Sequence, residues 1–190
     1  MTELLHPHGE LTGTEVMCDY LDDNLRRLKR FLTSLDEAAL HWQLDPESNS
    51  IATNLWHMGR ILDVFINQLA RGLPADDECW FRLGWAEQTG YDPRGLGRSG
   101  WGSGNEYALE EVAAIPKLSG EQLLEFITAV YTALREYLQV TPMADLAQPG
   151  TGFEGKFTQY QIIPMALMDN IRHMGEIRLI QSLWQRNNQR

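Results

Sequence analysis

Long apolar runs, clustered cysteines, basic patches and low-complexity tracts are all missing from this chain of 190 residues. Each absence narrows what it can be. A membrane-spanning helix needs roughly 18–20 consecutive apolar residues, and no stretch approaches that length. The opening MTELLHPHGE has no basic segment leading into an apolar one, so no secretory signal is expected. Cys18 and Cys79 allow at most one disulfide and form no metal-ligand spacing; so few cysteines point to a reducing, cytoplasmic setting. Acidic residues outnumber basic ones by 26 to 16, for a formal charge of −10. Such a surface repels polyanions on average, which excludes nucleic acid as an expected partner. Hydrophobic residues still make up 43%, enough for the core of a single domain spanning residues 1–190.

The period-two alternation of strands is also absent, and helical spacing takes its place. Val16, Met17, Tyr20, Leu21, Leu28, Phe31, Leu32 and Leu35 mark a first helix from Thr14 to Leu35, with Thr12 or Thr14 as its cap. Ile51, Leu55, Met58, Leu62, Phe65 and Leu69 mark a second, from Ser50 to Ala70, stopped by Gly72 and Pro74. A third starts at Ser119, where Ser119 and Gln122 have capping-box spacing, and ends before Pro142. A fourth runs from Thr158 to about Trp184, with a bend expected at Pro164. The pattern predicts an all-α four-helix bundle with a long irregular connection, 72–118, between the second and third helices. That connection holds Trp80, Trp85, Tyr91 and Trp101, with seven glycines between Gly84 and Gly104. It reads either as a folded flap over one end of the bundle or as a wandering surface loop. Its GLGRSG, Gly95 to Gly100, matches a dinucleotide fingerprint in letters only, because no strand precedes it and no helix follows.

In the fourth helix, MDNIRHMGEI places Asp169, His173 and Glu176 at steps of four and three, on one face. Ile162, Ala166, Ile177, Ile180 and Trp184 share that face, so it should be core. A buried carboxylate needs a partner. His57 sits mid-helix in the second helix, in phase with Ile61 and Val64, and meets Asp169 and His173 if the two helices are neighbours. Two histidines and a carboxylate from two helices suit Zn²⁺, Ni²⁺, Fe²⁺ or Mn²⁺. A His–Asp hydrogen-bonded network without metal is the alternative. His6, His8 and His41 lie outside any such arrangement.

Taken with SNSIATNLWHMGRILDVFINQLARG, CWFRLGWAEQTGYD, GWGSGNEYALEEV and DNIRHMGEIRLIQSLW, the chain resembles the DinB/YfiT-like metal-binding four-helix bundles over nearly its whole length. The H-x-G-E ending at His173 to Glu176 is that family's most characteristic feature. The resemblance implies His57 and His173 as metal ligands, with Asp169 where many members hold histidine. An aspartate can still ligate, so the implied site is altered rather than lost, with zinc or nickel as the ion and iron or manganese as alternatives. Characterised relatives include thiol S-transferases and maleylpyruvate isomerases that use low-molecular-weight thiols, the metal holding the thiol as thiolate. The implied protein is a cytoplasmic metal-dependent enzyme, a thiol S-transferase or hydrolase, with a small-molecule substrate or thiol as partner and a homodimer allowed. Glu176 would accept a proton or steady a ligand, unless it only pairs with Arg172 or Arg60. Arg82, Arg94 or Arg98 in the flap would hold an anionic part of the substrate. The competing expectation is a non-catalytic bundle binding a small ligand or protein, with a structural metal or none.

Overall fold

Helix signals in the sequence are realised at nearly every position in the computed structural model, which describes residues 12–188. Helix α1 (Gly13–Thr33) starts at Thr12, whose side chain and that of Glu15 close a capping box. A single turn, α2 (Glu37–Leu40), leads to α3 (Ile51–Val64), capped by Ser50. Short helices α4 (Cys79–Arg82), α5 (Trp85–Thr89) and α6 (Leu109–Ala113) belong to the long connection. Helix α7 (Gly120–Val140) carries the predicted Ser119–Gln122 box, the turn α8 (Met143–Leu146) follows, and α9 (Gln159–Asn188) closes the chain. Thr158 and Gln161 cap α9, which runs through Pro164 without interruption. Among the described residues there is no sheet, only an isolated bridge between Pro149 and Thr158.

α1 packs on α7, and α3 packs on both α7 and α9, so the second and fourth long helices are neighbours. The second helix departs from the expected single α-helix at its end, where Phe65–Ala70 widens into a π-helix. The carbonyls of Gln68 and Leu69 there accept from the Thr151 hydroxyl (2.6 and 3.3 Å), and that of Leu69 also from the Gly152 N–H (2.9 Å). Glycine is required beside this turn, since a Cβ on Gly150 would sit 2.6 Å from the Leu69 carbonyl oxygen.

Every residue of α3 except Thr53 is buried, which one amphipathic stripe does not explain. The cause is the 72–118 connection, which is a folded flap over α3. Trp80 is fully buried, its ring 6.0 Å from Trp56 and 5.1 Å from Phe126, and its indole N–H donates to the Tyr91 carbonyl (3.1 Å).

Two glycines predict opposite responses to the same change. A Cβ on Gly59 of α3 would meet Phe126 at 2.4 Å, and Phe126 is wedged against Trp80 and cannot withdraw. Gly59→Ala should therefore lower stability by about 1–3 kcal/mol despite the better helix former. Gly175 of α9 has nothing within 4 Å of its would-be Cβ, so Gly175→Ala should stabilise by up to about 1 kcal/mol. Urea unfolding of both variants checks the two signs.

Candidate metal centre

Packing of α3 against α9 brings His57, Asp169 and His173 together, with one ligand atom from each lying within 4.8 Å of the others. Among the described residues this is the one such group of three or more. The rings of His57 and His173 stand edge to face, 4.7 Å apart. His57 is buried; Asp169 and His173 are half-buried.

Hydrogen bonding on the far side of each ring settles its tautomer. Nδ1 of His57 lies 2.6 Å from the carbonyl oxygen of Ser103, which can only accept, so that nitrogen carries the proton. Nδ1 of His173 lies 2.6 Å from the Glu176 carboxylate and likewise donates. In the neutral rings both Nε2 atoms are then bare lone pairs, and both face the same oxygen, Asp169 Oδ2, at 3.0 and 3.4 Å. Lone pairs converging on a carboxylate oxygen repel. Either extra protons or a shared cation must resolve the contact.

A divalent cation fits. With ligands about 2.1 Å away, neighbouring donors lie about 3.0 Å apart in an octahedron and about 3.4 Å apart in a tetrahedron. Nδ1–H bonded to a carbonyl or carboxylate, with Nε2 left for the ion, is the usual support of a metal-binding histidine. Arg172 donates to Asp169 Oδ1 and leaves Oδ2 as the free acceptor. In the metal-free protein, protons take the cation's place. Burial pushes the Asp169 carboxyl up, but hydrogen bonds and charge from His173 and His57 outweigh it and hold it well below the ordinary range. Burial pushes His173 down, yet Asp169 and Glu176 together raise it.

A cavity of about 180 Å³ opens on this group, lined by His57, His173, Arg172, Asn49, Thr53, Gly104, Asn105, Glu106, Val112 and Ile115. Room is thus left beside both histidines. The flap closes tightly at Gly104, where a Cβ would come within 2.9 Å of His57 Nδ1; its φ of +95° also favours glycine.

Behind the site lies a buried ion network absent from the sequence reading. Arg60 is fully buried and donates through Nε to the Gly102 carbonyl (3.2 Å) and through one terminal nitrogen to Glu78 (2.7 Å) and Asp63 (3.4 Å). Asp63 in turn accepts from the N–H groups of Cys79 and Trp80 (2.9 and 3.0 Å) and from Asn67. Burial pushes the Asp63 and Glu78 carboxyls up, against the pull of Arg60. The sequence did carry one signal: an Arg–Asp pair three residues apart inside an apolar helix.

Several expectations need correction. Glu176 is not inside the buried face; its side chain is 52% exposed, and its partner is His173 rather than Arg172 or Arg60. Ile162, Ala166 and Ile177 are buried as expected, whereas Ile180 and Trp184 are half-buried. The flap arginines do not line the cavity. Arg82 borders a separate cavity with Asn67 and Arg71, Arg94 pairs with Asp92 and Asp76, and Arg98 lies 3.9 Å from Glu106. Cys18 and Cys79 are free thiols, and His6 and His8 lie outside the described residues. No helix among the described residues is long and apolar enough to cross a membrane.

Comparison with known proteins agrees with this architecture. The model of the DinB superfamily matches residues 20–177. A crystal structure of a conserved protein from Enterococcus faecalis superposes with a TM-score of 0.73 at 20% identity, covering 91% of this chain and 97% of that one, which is a likeness of fold. No curated protein matches the sequence.

The proton arrangement predicts a pH dependence for metal-free protein. A raised His173 contributes stability that is complete below its ordinary value of 6.5 and is lost as pH rises through the raised value. Asp169, depressed, contributes above the ordinary carboxyl range and loses that only in strong acid. Stability should thus fall as pH rises above about 6.5, and His173→Gln should flatten that limb. Urea midpoints of both proteins across the range, with chelator present, provide the check.

Proposed function

The chain belongs to the DinB superfamily, and from that premise we propose that it is a divalent-metal-dependent enzyme whose ion is held by His57, Asp169 and His173. The carrying observation is the convergence of two Nε2 lone pairs on Asp169 Oδ2, each ring having already committed its Nδ1 proton elsewhere. Zinc or nickel suits two imidazoles best, with iron or manganese as alternatives. Bound there, the ion supplies Lewis acidity.

The remaining functions fall to the chain's own side chains. Ser103 and Glu176 hold the protons on the outer ring nitrogens and so aim both Nε2 atoms inward. Glu176 is also exposed, which lets it accept a proton and pass it to water. Arg172 fixes Asp169 through Oδ1 and, at the cavity's edge, offers its remaining N–H groups to a substrate anion. Val112, Ile115 and the flap around Gly104 limit water at the reacting centre. The reaction class this supports is attack of a small thiol, or of water, on an electrophile: S-transfer or hydrolysis in the cytoplasm. Space beside both histidines favours an ion with an exchangeable position over a purely structural one.

Untagged protein should carry about one divalent ion per chain, by elemental analysis. His57→Ala or His173→Ala should remove it, because each takes one of three ligands. Glu176→Gln should keep the ion but weaken it about 10–100-fold, and Asp169→His should retain it. A panel of low-molecular-weight thiols with maleyl and bromobimane-type electrophiles then compares loaded, stripped and His173→Ala protein. Equal rates in all three, around an ion with a full coordination sphere, would make the metal a structural staple and remove the catalytic reading.

A further inference from the structure

The cavity at His57 does not end there. A second cavity, of about 100 Å³, shares Thr53, Val112 and Ile115 with it and reaches His41, Gln43 and Lys117. Both lie between α3 and the segment that begins with α6. Along the start of α3 the near cavity is lined by Asn49, Thr53 and His57 and the far one by Ser50, Ala52 and Thr53, so the two lie side by side and meet at Thr53. Together they form one groove, with His57 and His173 on one side and His41 and Lys117 on the other.

The two ends differ in charge. The near cavity carries Glu106 beside Arg172, whereas no carboxylate lines the far one, in a chain where acids outnumber bases by 26 to 16. Lys117 has no ion pair among the described residues, and His41 has only a distant Glu37, at 3.9 Å. The shared middle is lined by Val112 and Ile115 and by Thr53, whose hydroxyl is bonded to that of Ser50 (2.9 Å). An exposed lysine with no ion pair among the described residues, lining a cavity continuous with the candidate centre, suits an anionic group carried by the substrate.

We propose that the groove selects an elongated small molecule whose reacting end lies at His57 and His173 and whose carboxylate-bearing tail lies against Lys117. Arg172 is then the near clamp and Lys117 the far one, and a short neutral molecule lacks the tail that the groove recognises. This rests on the metal-dependent reading for its reacting end, but the tail site depends only on the groove.

The two can be tested apart. S-methylglutathione has two carboxylates and no free thiol, so it cannot react, and the part of its binding that persists without metal and is lost in Lys117→Glu reports the groove. Titrated into the protein as purified and again with the metal removed by chelator, and followed by NMR, it should in both cases shift the resonances of Thr53, Val112, Ile115 and Lys117. Lys117→Glu should weaken that binding about tenfold, or about 1.4 kcal/mol, and the diethyl ester should bind as weakly as the variant does. Metal content and turnover of 2-mercaptoethanol, which has no tail, should be the same in Lys117→Glu and the parent protein. Unchanged S-methylglutathione affinity in Lys117→Glu, shifts confined to other surfaces, or no binding at all would overturn the proposal. Absence of metal or of 2-mercaptoethanol turnover in the parent protein would instead count against the enzyme reading, with the groove judged by the titration.

Discussion

Arg60 ties the 72–118 flap to α3. Its guanidinium is fully buried, and its hydrogen bonds reach the flap near the start, at Glu78, and near the end, at Gly102. A buried charge loses hydration worth several kcal/mol, so it persists only where paired and hydrogen-bonded. Here Asp63 completes the arrangement, receiving the first N–H groups of α4 while facing Arg60. Such a network adds little stability over an apolar core of the same shape, but losing one member leaves the others charged and buried. Its consequence is positional: it fixes the register of the flap on α3.

That register matters because Ser103 follows Gly102 directly. Once Arg60 holds the Gly102 carbonyl, the next carbonyl is set 2.6 Å from His57 Nδ1. Gly104 then lets the backbone pass against the imidazole ring where any side chain would collide. The orientation of His57, one of the candidate ligands, therefore traces back to a buried arginine one helical turn away. His173 is oriented more locally, by Glu176 on its own helix, and that support is open to water. The two histidines thus have unlike surroundings, one set by tertiary packing and one by helix spacing.

Asp169 in the middle position changes the electrostatics of the centre. A third imidazole would leave a divalent ion uncompensated, whereas the carboxylate cancels one unit of its charge. Arg172 restores part of the difference by occupying Oδ1, so a single oxygen faces the histidines. On the proposed reading, a harder oxygen donor beside two imidazoles would widen the range of ions the site could take, toward iron and manganese as well as zinc and nickel.

The four long helices were legible in the sequence because apolar residues recur at helical spacing and Ser119, Thr158 and Ser50 cap where their side chains accept. The meeting of His57, Asp169 and His173 was legible too, since Asp169 and His173 share a face by spacing alone and His57 stood out in an apolar helix. The exposure of Glu176 was not, because a helix face curves away from the core within one turn and periodicity does not say where. Nor were the π-turn at Phe65–Ala70, the partners of Arg60, or the folding of the flap onto α3. Each depends on a carbonyl, an N–H or a charge whose partner lies tens of residues away. Local sequence determines which residues can be helical and which atoms can donate. Only tertiary packing decides which of those distant atoms meet, and here that choice aimed His57, through a stretch of glycine-rich loop, at Asp169 and His173.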